Sequence, residues 1–309
     1  MVAIRSMTSP RASTPVDPAD HPLRMALARG ERVRAVSAPA LQHLLAAPDH
    51  SLIEEAVVAQ VRGMLTGLAG QLIEARSYST APGASPDEAM LARLLEEPEL
   101  RTHCQALALE WRLAQKLEAE LALDPVLSPL LQAWVAEADA ATGSLAMAAL
   151  AAQARFAQAQ RRMELPLGEL PAELFHAVLS AARDVAPDGA AEARLRSEYE
   201  EAASRLALLA RLAREAGGQT PRALTIEDAG VALWLSVLAA RSGESRERTA
   251  CAAADPHLGR LLLTLRAAGM IPSEAERQAL RVLPDAELPR GLADVGTREA
   301  AQWLADAQS

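Results

Sequence analysis

The stretch LAARSGESRERTACAAADPHLGRLLLTLRAAGM, residues 238–270, brings Ser, Arg, Cys, Asp and His into one short window. These are the side chains of nucleophilic catalysis. A cysteine becomes a nucleophile when an adjacent imidazole takes its proton and a third group orients that imidazole. The local pattern places them otherwise. IEDAGVALWLSVLAARSG reads as a helix ending near Gly243, and ESRERTACAAA as a short second helix with Ala250, Cys251 and Ala254 facing inward. Asp255 is then expected to cap a third helix running from Pro256 to Gly269. Cys251 and His257 therefore lie on opposite sides of a helix break, with no third residue to orient the histidine. The window reads as helix ends and caps, with a structural Cys251 and an exposed or capping His257.

Other chemistries fail on spacing. The histidines are His21, His43, His50, His103, His176 and His257; no two stand four apart on one helix, and neither H-E-x-x-H nor C-x-x-C occurs. His43 and His50 are seven apart but separated by Pro48. No metal ligand set and no cofactor site is assigned. GMLTGLAG spaces Gly63, Gly67 and Gly70 inside an apolar helical pattern, which suits close helix packing better than a phosphate cradle. The only lysine, Lys116, lies mid-helix, so no Walker motif is possible, and a G-x-S-x-G elbow is absent.

Three features keep alternatives open. His176, in PAELFHAVLSAARD, and His43, in LQHLL, sit on helices where a phosphoacceptor could stand, although no histidine is followed by an H-[DE]-x-[KR]-[ST]-P signature. Arg24, Arg29, Arg32 and Arg34 in LRMALARGERVRAV form a local basic cluster, read as a solvated helix end and turn or as a patch for an acidic partner. Trp111, Trp134, Phe156 and Trp234 are core candidates that could instead line a ligand pocket.

The elements that must position these residues are helices. Half of the 309 residues are hydrophobic but only 3% are aromatic, and Ala and Leu dominate, which suits helices more than strands. Capping boxes are expected at Ser51/Glu54, at Ser85/Glu88 with Pro86, and at Ser273/Glu276. Apolar seams run through Leu100, Cys104, Leu107, Trp111, Ala114, Leu117 and Leu121; through Leu145, Ala149, Ala152, Phe156, Ala159 and Met163; and through Leu195, Tyr199, Ala202, Leu206, Leu209 and Ala213. Such seams suit long antiparallel helices. EPEL (97–100), DPVL (124–127) and DPHL (255–258) form a weak repeat of acidic helix caps followed by proline.

Breaks are expected at 77–85, 164–171, 186–190 and 216–224, the last being the best domain boundary; 283–296 then precedes a final helix that docks through Ala300, Trp303 and Leu304. The net charge of −9 argues against broad nucleic-acid binding and electrostatic attachment to anionic lipid. Two cysteines, Cys104 and Cys251, form no disulfide framework, and thirty of the 31 basic residues being Arg fits a GC-rich genome. No signal peptide is visible, and VALWLSVLAA (231–240) is the nearest approach to a membrane span, too short to cross. The expected compartment is the cytoplasm.

A helix ending in L-A-x-x-S-G, a short R-E-x-x helix, then D-P-x-x-x-x-L-x-x-x-L-R-A-A-G resembles a bacterial family of uncharacterised, all-helical, HEAT-like proteins catalogued as a domain of unknown function. The match covers Leu238 to Leu283. It implies stacked helical hairpins and supplies no functional residues to transfer. The expected organisation is all-α: a disordered tail over 1–20, a helical bundle over 21–217 and a HEAT-like array over 223–309. The leading functional expectation is a non-enzymatic scaffold or adaptor for another protein, with exposed apolar and Arg residues on the C-terminal helices. A histidine phosphotransfer protein and a ligand-binding bundle are the alternatives.

Overall fold

Ala, Leu and Arg lose little conformational freedom in a helix, and they fill every long segment between the Pro and Gly breaks. A computed structural model describes residues 21–46, 55–76, 86–137 and 139–307, without the side chains of 37–46, 86 and 137. Among the described residues the chain is all-α, with no strand. The helices are α1 (Pro22–Ala46), α2 (Glu55–Glu74), α3 (Pro86–Leu95), α4 (Pro98–Leu121) and α5 (Pro129–Glu137). There follow α6 (Ala140–Arg161), α7 (Ala172–Val185), α8 (Gly189–Glu198), α9 (Arg205–Glu215) and α10 (Thr220–Ala223). The chain ends with α11 (Ile226–Ser242), α12 (Arg246–Ala253), α13 (Gly259–Ala267), α14 (Pro272–Val282) and α15 (Thr297–Asp306).

The Asp–Pro repeat marks turns more often than helix starts. Asp124 Oδ1 accepts from the backbone N–H groups of Val126 at 2.7 Å and Leu127 at 3.0 Å, yet α5 begins only at Pro129, where Ser128 Oγ accepts from Leu131 at 3.3 Å. Asp255 Oδ1 likewise accepts from His257 N–H at 2.9 Å, and α13 begins at Gly259, not Pro256. Between them Leu258 stands at φ 56°, a left-handed step that re-aims the chain. The aspartate thus closes a side-chain-to-backbone turn upstream of each helix. EPEL alone opens a helix directly, with Glu97 at the N-cap and Pro98 at the first position.

Other helix ends also differ from expectation. At α14 the N-cap is Ile271, so Ser273 falls within the first turn and makes no capping box. Ser51 and Ser85 lie outside the described residues. The 195–213 seam is not one helix, because α8 ends before Tyr199 and a 3-10 turn at Glu201–Ala203 precedes α9. The α6 seam is buried as far as Ala159, but Met163 lies past the helix end at φ 56° and is exposed. The α4 seam is buried from Leu100 to Leu117, and Ala300, Trp303 and Leu304 dock α15 as expected. Gly63 packs closely, since a Cβ there would lie 2.5 Å from Met163 Cβ, whereas Gly70 has open space.

The apolar core runs from Leu23 to Leu304 without interruption, across the 216–224 junction as well. At that junction a 3-10 turn and α10 lead into α11 at a bend of 108°, and Leu224 O accepts from Trp234 Nε1 at 2.9 Å. Helix α11 is central: Val231 to Ala239 are all buried, and it packs on α4, α5, α9, α10, α12 and α13. It is kinked at Gly230 (φ 67°, ψ 164°), a conformation open only to glycine, and a Cβ there would lie 2.9 Å from Ser128 Cβ. α2 exceeds VALWLSVLAA as the stretch nearest a membrane span, being long and apolar enough to cross one; it packs against α3 and α4 and buries eight side chains.

Candidate functional site

The residues that drew attention in the sequence are dispersed by the fold. Cys251 is partly exposed on α12, whose inward face is instead Thr249, Ala250, Ala252 and Ala253; Ala254 is exposed. Burial pushes the Cys251 thiol up to about 11 and that of Cys104, in the α4 core, up to about 12, so neither is an activated nucleophile. His257 is partly buried in the turn after α12. His176 is exposed on α7, with Arg196 Nη1 3.0 Å from its Nδ1. A guanidinium only donates, so Nδ1 is the acceptor and, in the neutral ring, Nε2 carries the proton. The side chain of His43 lies outside the described ones.

The core instead holds an ionic centre that no sequence motif announced. Glu110 on α4 accepts from Arg205 Nη1 and Nη2 at 2.7 and 3.0 Å, and from Arg246 Nη1 and Nη2 at 2.8 and 2.9 Å. Gln153 takes a further Arg205 hydrogen at 3.1 Å, and Ser236 accepts from Arg246 Nε at 3.0 Å. Arg205 also lies over the Phe156 ring, 3.6 Å from its centre. Burial alone pushes the Glu110 carboxyl up; the Arg205 and Arg246 guanidiniums overcome it and hold it well below the usual carboxylate range. One carboxylate bonds both guanidiniums, and Gln153 and Ser236 take further hydrogens, so the centre fastens α4, α6, α9, α11 and α12 together.

A second group lies where α1, α4, α12 and α13 meet. Arg260 donates to Glu31 on α1 at 2.8 Å and pairs with buried Glu244, while Arg34 also reaches Glu31 at 2.7 Å. His103, buried on α4, stands with Nδ1 3.0 Å from Glu247 Oε1 on α12. That hydrogen bond brings the Glu247 carboxyl down to about 2. His103 Nε2 is buried with no hydrogen-bond partner. A cleft of about 230 Å³ opens beside these residues, with Val33, Arg34, Leu109, Arg248, Cys251 and Asp255 in its walls.

The Arg24–Arg34 segment is not a helix end and turn: α1 runs straight through it. Arg24 caps the Trp303 ring at 4.6 Å, and Gly30 lets the helix pass Asp255, whose Oδ2 would lie 2.2 Å from a Cβ. Arg29 and Arg32 are exposed, as are Met25 (48%), Val33 (55%) and Val36 (68%). Met25, Arg29, Arg32 and Val36 recur at helical spacings of four, three and four, so they share one face, with Val33 at its edge. An apolar and Arg surface is thus found on α1, and on the C-terminal helices Ile271, at the start of α14, is an exposed large hydrophobic side chain (58%). Of the four aromatic candidates, Trp111, Trp134 and Trp234 are buried in the core, and Phe156 lines a cavity as well.

Two buried polar residues, His103 and Glu110, belong to no sequence motif, yet α4 carried their signal. Leu100, His103, Leu107, Glu110, Ala114, Leu117 and Leu121 follow a strict alternation of three and four, with a histidine and a glutamate at seam positions. A polar residue on a buried seam must have a partner. Among the described residues, no group of three or more His, Cys, Asp or Glu is placed to hold a metal ion. No protein-family model, curated protein or solved structure matches the chain.

Proposed function

We propose that the protein is a non-enzymatic adaptor that docks an acidic, amphipathic segment of another protein along α1. The exposed face of Met25, Arg29, Arg32, Val33 and Val36 carries this reading. It joins large apolar side chains to unsheltered cations, and the one carboxylate of α1, Glu31, is engaged by Arg34 and Arg260. On a chain of net charge −9, such a basic and apolar strip selects a partner of opposite charge with its own apolar stripe. The adjoining cleft, with Val33 and Leu109 in its walls, extends the apolar contact.

The same reading takes the C-terminal helices as a HEAT-like array, in keeping with the resemblance over Leu238 to Leu283. The successive packing of α11 on α12, α12 on α13 and α13 on α14 supports it.

A photo-crosslinking residue placed at Val36 in the native host tests the docking. The expected result is a heterologous protein attached through a segment rich in Asp and Glu, and its loss when Arg29 and Arg32 are both changed to Glu. Attachment to a second copy of this chain, or capture indifferent to the charge reversal, would overturn the proposal. So would no crosslink above that of the same residue placed at exposed Met147.

A further inference from the structure

We infer that a second site, distinct from the α1 face, binds a small organic amine with an apolar body. It is a cavity of about 360 Å³ between α4, α6, α9 and the connection after α6. Leu107, Phe156, Ala159, Leu165 and Leu206 give it apolar walls. Its volume falls within the range of small-molecule sites, where apolar walls supply affinity and a few polar groups fix orientation.

The charges around it set the ligand's sign. Arg205 forms part of the floor, but its guanidinium is bonded to Glu110 and Gln153 and lies on Phe156, so it leaves no strong demand for an anion. Glu169 accepts from the Arg205 backbone N–H at 2.7 Å, and Glu164 pairs with Arg162 at 2.9 Å. The remaining acidic lining residues, Glu198 and Glu200, flank Tyr199, and no ion pair holds either of them among the described residues. Tyr199 is itself fixed, its ring stacked on Phe175 at 3.9 Å and its hydroxyl donating to Leu170 O at 2.8 Å. Two open carboxylates are thus presented from an anchored segment at the edge of an apolar cavity. An ammonium group suits that edge, and an alkyl or aryl body suits the walls. Arg155 is the opposing charge on the lining besides Arg205, whose guanidinium is already engaged.

Calorimetric titration of the full chain with 2-phenylethylamine tests this, with 3-phenylpropionate, 2-phenylethanol and phenylalanine as comparisons. The amine is expected to bind at least tenfold more tightly than the carboxylate or the alcohol. Glu198→Gln combined with Glu200→Gln, both exposed positions whose change leaves the core intact, should reduce amine affinity at least tenfold. Arg155→Ala should strengthen it. No amine binding, equal binding of amine and alcohol, or an unchanged double variant would overturn the inference. Tighter binding of phenylalanine would overturn it too, by showing that Arg155 recruits a carboxylate. None of these outcomes depends on the α1 docking face.

Discussion

Arg205 lays both terminal nitrogens on the Glu110 carboxylate, at 2.7 and 3.0 Å, with each side chain only 2% exposed. Arg246 approaches the same carboxylate from α12. Glu110 is therefore the anion between two cations, and its loss leaves both in the interior without compensation. Glu110→Gln should cost about 3–5 kcal/mol, the range for breaking a buried ion pair from one side. Urea denaturation followed by circular dichroism measures it. A loss below about 1 kcal/mol would mean that water reaches the two guanidiniums and that the centre contributes little to cohesion.

The Glu247–His103 contact makes stability depend on acidity. Glu247 titrates at about 2 in the fold against an ordinary 4.5, so the unfolded chain takes up its proton first as pH falls. Its contribution is complete above pH 4.5 and is lost between there and about pH 2. The melting temperature of Glu247→Gln should accordingly change less over this interval than that of the parent. Parallel profiles for the two proteins would remove Glu247 from the account of acid unfolding.

Cys251 should react slowly. With its thiol pushed up to about 11 from an ordinary 9.0, it holds about a hundredfold less thiolate at pH 8 than a solvated cysteine. Alkylation by iodoacetamide in native buffer, resolved by peptide mass spectrometry, should lag glutathione by about that factor. Cys104, sealed in α4, should label only after denaturation. Rapid native modification of Cys251 would contradict the desolvation of its thiol.

Gly259 governs how α1 sits. A Cβ at this position would lie 2.5 Å from Leu27 N and 2.7 Å from the Ala26 carbonyl carbon, both main-chain atoms that cannot rotate aside. Gly259→Ala should push α1 off α13, costing about 1–3 kcal/mol as an overpacked core does. Hydrogen exchange of α1 should quicken while α6 and α9 stay protected. Unchanged exchange in α1 would show that α13 moves instead.

The sequence carried helix existence well, because Ala- and Leu-rich seams with Gly and Pro stops leave little choice of local structure. The ends were less legible. Asp124 and Asp255 have the chemistry of helix caps, but their carboxylates satisfy the turn two residues on, and the helices begin later. The kink at Gly230 was hidden because the neighbour that leaves no room for a side chain there, Ser128, lies about a hundred residues away. Of the polar centres, half was readable: His103 and Glu110 interrupt a regular seam and announce buried partners. Arg205 and Arg246 could not be named as partners of Glu110, because Arg is common throughout the chain and pairing across 95 and 136 residues is set by tertiary packing alone.

Helix α1 packs most extensively on α13, at the far end of the chain, and also meets α2. His21 meets the edge of the Trp303 ring at 5.1 Å, Arg24 lies over that ring, and Gly259 admits the α1 backbone. During synthesis, α1 leaves the ribosome more than two hundred residues before α13 and α15. Until then its apolar side, with Leu23 and Leu27, lacks the surface that α13 and α15 supply. Closing so long a loop is slow relative to local helix pairing, so the last native contacts to form join the two ends of the fold. A nascent chain halted before Gly259 would display Leu23 and Leu27 together with the exposed Met and Val residues of α1, and chaperones would have a defined window in which to hold it.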